Sequence, residues 1–366
     1  YSGANDGMLH AYDALTGDEI FAYVPNLVFS QLYRLADPAY THRFYVDLTP
    51  TVKKGAGVLG GTTVRTLLVG GLRKGGKGYF GLNVTDAKTI ANENDVAARV
   101  LWEFPKTADA DMGYSYSKPV VVRTNSTSYP WVVIFGNGYN SDNGSSVLYV
   151  VHPQTGDVIR KIAAGAGPDN GLSSPMAVDT SSDERIDFVY AGDLKGNLWK
   201  FDLTHSDPAQ WSVAFAQSGV PQPLFRAQGP GVTAQPITVR PEVMYHPKSH
   251  GLMVCFGTGK YLGDGDLTDT SVQSVYGLWD YGDKVYDQQA QQWTQDDDKE
   301  FLGSFTSRST APRISNQPAK VSLLQQRQAI FTVKTGGFEH RLRFLSSEKP
   351  VWATVPDPDN GSTQAP

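Results

Sequence analysis

The run Val178 to Leu203, VDTSSDERIDFVYAGDLKGNLWKFDL, decides how the whole chain is read. Phe188 to Ala191 is apolar, Gly192-Asp193 breaks the run, and Gly196 to Leu203 resumes it. That pattern predicts strand, tight turn, strand. The residues just before place oxygen side chains at Asp179, Ser181, Asp183 and Asp187, which are positions 1, 3, 5 and 9 of a short loop. Ca²⁺ takes roughly six to eight oxygen ligands. Alternate side chains plus the backbone carbonyl of Arg185, at position 7, can converge on one point. A candidate metal loop therefore sits directly on a β-hairpin.

The same hairpin recurs outward along the chain. Each unit is a Pro-led apolar strand, a polar hairpin, a second apolar strand ending in Gly, and a turn into a third strand. Pro50, Pro119, Pro175 and Pro241 lead four units, and an earlier one is visible only from Gly3 onward. The strand-ending glycines fall at Gly3, Gly70, Gly136, Gly192 and Gly257, in steps of 67, 66, 56 and 65 residues. A regular period of this kind marks a repeat architecture. Fourth strands are expected at Glu19–Tyr23, Val100–Phe104, Val158–Ile162 and Trp211–Phe215. The expected fold is all-β, a β-propeller of about six to seven irregular blades of four antiparallel strands. Leu27 to Ala39 spaces apolar residues three and four apart, which predicts a short helical insertion. Tyr286 to Glu300 reads as a solvated insertion and Lys320 to Val355 as a faint last unit. Residues 1–355 are expected to form one propeller domain, with 356–366 a disordered tail, the whole being a fragment of a longer protein.

Composition supports this outline. Of 366 residues, 40% are hydrophobic and 19% charged, enough for a sizeable core. Glycine (37) and proline (22), with 11% aromatics, suit many short strands joined by turns. A net charge of −5 offers no basic face for nucleic acid. No run of about 18 apolar residues exists to span a bilayer as a helix. The single cysteine, Cys255, rules out an intrachain disulfide and reads as a small buried core residue.

The metal loop departs from a full EF-type loop, which has Gly at position 6 and a bidentate Glu at position 12; this chain has Glu184 and Tyr190 there. On spacing alone an acidic hairpin with Asx-type turns explains it as well. Against that, Asp179, Asp183, Glu184 and Asp187 crowd four carboxylates into nine residues, with only Arg185 opposed. That crowding is costly without a cation or open solvent. Asn137–Gly144 and Gly263–Asp269 hold ligand types but read as ordinary turns, and Gly75–Gly78 lacks the spacing of a phosphate loop. The seven histidines are scattered, with His246 and His250 sharing a hairpin as surface residues, and no catalytic set emerges.

Ala11-Tyr12-Asp13-Ala14-Leu15-Thr16-Gly17-Asp18-Glu19 resembles the blade motif of quinoprotein dehydrogenases, with a weaker copy at Tyr149–Asp157. The chain as a whole more closely resembles the C-terminal propeller of the PilC/PilY family of type IV pilus biogenesis and tip-adhesin proteins. The carrying residues are Gly3–Ala11, Ala22–Asn26, Ala191–Asp202, and Phe256–Leu262 running on to Tyr276–Asp280. This resemblance implies a Ca²⁺ loop of D-x-[DN]-x-[DN]-x-x-x-D type, matched by Asp179, Asp183 and Asp187, with Ser181 a departure and Arg185 contributing its carbonyl. It implies a non-catalytic protein of the bacterial cell surface or fimbrium, reaching the pilus tip through periplasm and outer membrane. Its implied partners are type IV pilus components such as minor pilins and a host or abiotic surface. Its implied role is to tune pilus extension against retraction, twitching motility and attachment. The alternatives are a quinone-cofactor periplasmic dehydrogenase, which typically has an adjacent Cys pair that this chain lacks, and a metal-free scaffold propeller.

Overall fold

The Pro-led repeat folds into successive antiparallel sheets. The computed structural model describes residues 1–217, 219–229, 233–245 and 251–280, together with strand backbones at 284–287, 292–295, 327–335 and 338–346. The first sheet contains β1 (Ser2–Gly3), β2 (Leu9–Tyr12) and β3 (Glu19–Tyr23). The second contains β4 (Thr51–Ala56), β5 (Val64–Gly71), β6 (Tyr79–Asn83) and β7 (Val100–Phe104). The third contains β8 (Val120–Arg123), β9 (Trp131–Gly136), β10 (Val147–Val151) and β11 (Val158–Ala163). The fourth contains β12 (Met176–Val178), β13 (Phe188–Gly192), β14 (Asn197–Asp202) and β15 (Ser212–Val213). A hairpin of β16 (Phe215–Gln217) and β17 (Val220–Gln222) follows, and β18 (Phe225–Arg226) returns to pair with β14. The fifth contains β19 (Glu242–Tyr245), β20 (Leu252–Gly257) and β21 (Val275–Asp280).

The apolar runs are continuous because their strands are buried on both faces. Val133 and Phe135 of β9 pack with Leu67, Val69 and Tyr79 of the second sheet. Val132 and Ile134 of the same strand pack with Val189, Ala191 and Trp199 of the fourth. Tyr190 and Leu198 in turn meet Leu252, Val254 and Tyr276 of the fifth. Side chains alternate across a strand, so each sheet shares one core with the sheet before it and one with the sheet after. Blades stacked face to face in this way make a β-propeller.

Three of the five repeating glycines, Gly3, Gly136 and Gly192, mark where one blade's strand end meets the lead-in of the next, whereas a Cβ on Gly70 would meet Phe80 of its own sheet and one on Gly257 would meet nothing within 4 Å. A Cβ on Gly136 would stand 2.4 Å from the Ser173 carbonyl oxygen, and one on Gly192 would stand 2.2 Å from the Ile237 side chain. Serines tie the same junctions: Gly136 N–H donates to Ser117 Oγ (2.8 Å), which donates to Ser173 O (3.1 Å). One blade on, Gly192 N–H donates to Ser173 Oγ at 3.1 Å. Ser117 and Ser173 each stand two residues before the strand-leading proline.

Several expectations change in detail. Leu27–Ala39 is not one helix but a single turn, α1 (Asn26–Phe29), followed by a 3₁₀ segment at Leu32–Ala36. Trp211–Phe215 is not one strand: Trp211 is fully buried with its indole N–H donated to His205 O (2.7 Å), leaving β15 only two residues long. Cys255 is half-buried rather than buried, because Leu252, Val254 and Phe256 occupy the core face of β20. Burial raises its thiol pKa. The Tyr286–Glu300 stretch overlaps a hairpin of β22 (Lys284–Asp287) with β23 (Gln292–Gln295), and residues 296–300 lie outside the described residues. The faint last unit contains the nine-residue strands β24 (Arg327–Thr335) and β25 (Phe338–Ser346), paired antiparallel. The expected tail at 356–366, and both His246 and His250, fall outside the described residues.

In the first blade, His10 clasps the β2–β3 hairpin. Its Nδ1 faces Glu19 Oε1 and its Nε2 stands 2.8 Å from Asp6 Oδ2. The hydrogen bond to Glu19, opposed by burial and helped by Asp6, raises its pKa above 6.5. The stabilisation is complete below that ordinary value and disappears as pH rises through the raised pKa. An NMR titration of the His10 ring is expected to show a midpoint above 6.5 that falls toward it in Glu19→Gln.

Candidate metal centre

The acidic loop is the hairpin between β12 and β13, closed by Asp187 N–H donating to Val178 O at 2.9 Å. Asp179 organises its first half. Its Oδ1 accepts from Ser181 N–H (3.0 Å) and Ser182 N–H (2.7 Å), and its Oδ2 from Glu184 N–H (2.7 Å). To bring these amides inward, Ser182 and Glu184 adopt left-handed backbone angles, φ 62° and 65°. Glu184 thus takes, at some strain, the conformation for which EF-type loops place glycine at position 6. Slight burial pushes the Asp179 carboxyl pKa up, but the Glu184 and Ser182 amides and the Ser181 hydroxyl outweigh it and hold the pKa below the ordinary aspartate value.

Three of the candidate ligands converge. Ser181 Oγ lies 3.2 Å from Asp179 Oδ1 and 3.1 Å from Asp183 Oδ1. Asp183 Oδ1 also accepts from Arg185 N–H at 3.0 Å. Asp187 is one amide away: its Oδ2 accepts from Ser181 N–H (3.1 Å), Thr180 N–H (2.8 Å) and the Thr180 hydroxyl (2.6 Å). Among the described residues no three His, Cys, Asp or Glu side chains gather as a metal cluster. Any cation here depends on Ser181 and on a carbonyl as well as on carboxylates.

The neighbouring blades hold the loop from both sides. Ile186 N–H donates to Arg123 O (2.9 Å), Arg123 Nη1 reaches Glu184 Oε2 (3.2 Å), and Asn125 Nδ2 points to Asp187 Oδ1 (3.5 Å). From β19, Tyr245 Oη donates to the Asp179 carbonyl at 3.1 Å. Arg123 is a second cation opposing the acidic loop, distant in sequence and adjacent only through blade packing.

The other oxygen-rich loops are structural. Asn137 is fully buried, donating to the Asp111 and Ser145 carbonyls and accepting from Val147 and Leu172 N–H. Asp266 accepts from Leu262 and Gly263 N–H and from Lys260 Nζ. Spacing gave no sign of the most heavily bonded carboxylate, Asp193. Fully buried in the A-G-D-L-K-G-N-L-W turn, it accepts from the Lys195 and Asn197 amides and from the side chains of Ser146, Asn170, Asn197 and Trp199.

A model of the PilY1 β-propeller domain matches residues 1–300. The chain belongs to the PilY1 β-propeller family. It is 44% identical over 297 residues to a type IV pilus biogenesis factor PilY1 homolog of Xylella fastidiosa, covering 78% of this chain and 19% of that protein. It is 41% identical over 300 residues to PilY1 of Pseudomonas aeruginosa PAO1, covering 76% of this chain and 24% of that one. The chain thus spans about a fifth to a quarter of the PilY1 relatives it matches. The crystal structure of the P. aeruginosa PilY1 C-terminal domain superposes with a TM-score of 0.66 at 34% identity, covering 99% of this chain and 68% of that one. The blade-motif likeness to quinoprotein dehydrogenases is local, whereas the PilY1 match covers residues 1–300 and so the five sheets from β1 to β21. No described helix of this PilY1-family chain is long and apolar enough to cross a membrane.

Proposed function

We propose that this propeller is a Ca²⁺-responsive, non-catalytic module of a type IV pilus biogenesis factor. Its oxygen set is Asp179, Ser181, Asp183, the Arg185 carbonyl and Asp187. The observation that carries the reading is the crowding at Ser181. A hydroxyl has one proton, yet Ser181 Oγ touches carboxylate oxygens of both Asp179 and Asp183 within 3.2 Å. One of those contacts has no hydrogen between two electron-rich oxygens, and a bound cation relieves it. All the donors are oxygens, which suits a hard ion such as Ca²⁺ and not the softer metals that select His and Cys.

Ca²⁺ supplies positive charge and multidentate attraction to this loop. The chain does the rest. Asp179 gathers the amides, the left-handed Glu184 folds the loop back, and Arg123, Asn125 and Tyr245 pass its order to the blades on either side. Ser181, neutral where the motif has Asp or Asn, lowers the ligand charge and weakens affinity. Kinship with PilY1 supports placing the module at the pilus tip, among minor pilins, on the cell surface after passage through periplasm and outer membrane. There, loop order would tune pilus extension against retraction, twitching and attachment to a host or abiotic surface.

Saturating Ca²⁺ is expected to raise the thermal midpoint of the chelator-stripped chain. At an ion concentration about 100 times Kd the linkage term is about 2.7 kcal/mol, or several degrees for a domain of this size. Asp183→Ala is expected to abolish the shift. An equal shift in both proteins would refute the assignment.

A further inference from the structure

The connection from β3 to β4 presents a surface that the metal loop does not explain. Along it Phe29, Tyr33 and Tyr40 are 68%, 67% and 42% exposed. The Arg34 guanidinium lies over the Tyr33 ring (5.3 Å), while Arg34 Nε is buried with no hydrogen-bond partner. Lys74 Nζ lies 4.9 Å from the Phe44 ring centroid and its charge, with that of Arg73, bears on Asp47, while Arg43 makes no ion pair among the described residues. Arg73 beside them stands 3.7 Å from Asp47. Arg34, Arg43, Arg73 and Lys74 face two carboxylates, Asp37 and Asp47, a local charge of +2 in a chain of net −5.

We propose that this basic, aromatic surface docks an acidic polypeptide segment bearing aromatic side chains. Tyr and Arg are enriched at protein interfaces and among their energetic hot spots, and here they alternate over a short stretch. The two ends of this stretch are anchored before any partner arrives. Asn26 and Leu27 N–H donate to Glu103, Tyr45 Oη donates to Gln31 O, and Leu32 packs against Gly7. A preorganised surface loses little on binding. The rest of the chain, carrying the negative balance, repels an acidic segment and confines it to this patch. A lipid surface fits less well, because lipid-binding clusters gather roughly four to eight cations, whereas here Asp37 and Asp47 cut the excess to +2. The loop at 179–187 hangs from the opposite strand ends, so the proposal is independent of Ca²⁺.

Fluorescence anisotropy with a labelled short peptide alternating Asp or Glu with Phe or Tyr tests it on the full 366-residue chain. The comparison probes are the same peptide with Asn and Gln replacing the acids, polyglutamate, and phosphatidylserine vesicles. The acidic aromatic peptide is expected to bind, and the amide peptide to bind weakly or not at all. Arg43→Glu/Lys74→Glu and, separately, Phe29→Ser/Tyr33→Ser are expected to weaken binding by about ten-fold or more. Both pairs are surface changes, and an unchanged thermal midpoint confirms their fold. No binding, equal binding of amide peptide or polyglutamate, preference for vesicles, or indifference to both variant pairs would each overturn the proposal.

Discussion

Asp193→Ala is expected to lower folding stability by about 4 kcal/mol, read as a fall in the urea midpoint. The carboxylate accepts two backbone amides through Oδ1, and through Oδ2 four side-chain donors from Ser146, Asn170, Asn197 and Trp199. Alanine leaves all six donors without this acceptor, and the three that are buried with it, from Ser146, Asn170 and Trp199, carry the full desolvation cost. Ser146 belongs to the third blade and Asp193 to the fourth, so the blade junction loosens along with the turn. Asp193→Asn separates charge from shape. Its Oδ1 still caps the Lys195 and Asn197 amides, but an NH₂ now faces donors, so roughly half the loss is expected. An asparagine variant as stable as the parent would mean that the charge is not what the site needs.

The second large effect concerns Lys200 and Asp280, which join the fourth and fifth blades. Their side chains are 6% and 3% exposed, with Nζ 2.8 Å from Oδ2. Tyr190 Oη donates to the same oxygen at 2.6 Å, and the ammonium lies 4.1 Å from the Phe188 ring centroid. Burial and the Asp280 charge push the Tyr190 phenol well above its ordinary range, so it stays a donor. Lys200→Met keeps the stem in the aromatic box but takes the Lys200 charge from beside the buried carboxylate, to which Tyr190 still donates, with an expected loss of about 3–5 kcal/mol. Lys200→Met/Asp280→Leu removes both charges, and buried pairs replaced together by apolar groups are often tolerated. The double variant is therefore expected to be more stable than Lys200→Met alone. A double variant worse than the single would show that the pair itself stabilises the junction.

Much of this fold was legible in the chain because a propeller repeats its constraints. At Gly3, Gly136 and Gly192 the strand-ending glycine stands where a neighbouring blade's lead-in crosses within van der Waals contact. The doubly buried strands read as unbroken apolar runs. What stayed hidden depends on neighbours distant in sequence. Arg123 opposes the acidic loop only because the third and fourth blades pack together, and Asp193 looks like an ordinary turn residue until Ser146 and Asn170 are brought beside it. Trp211 had the pattern of an edge-strand residue, but its indole is buried in the core and the strand shrinks to Ser212–Val213. The acidic loop was legible as a ligand spacing, while the division of labour within it was not. Asp179, Ser181 and Asp183 converge, whereas Asp187 is committed to Thr180 and the Ser181 amide.

The most direct test of the metal loop is calorimetric titration of Ca²⁺ into the chelator-stripped chain beside Asp183→Ala. One ion bound by the parent, with Kd in the range of roughly 10⁻⁷ to 10⁻³ M, and none bound by the variant is the predicted result. Absence of binding to the parent, or equal binding to both, would contradict it and leave residues 179–187 an Asx-turned hairpin without a metal.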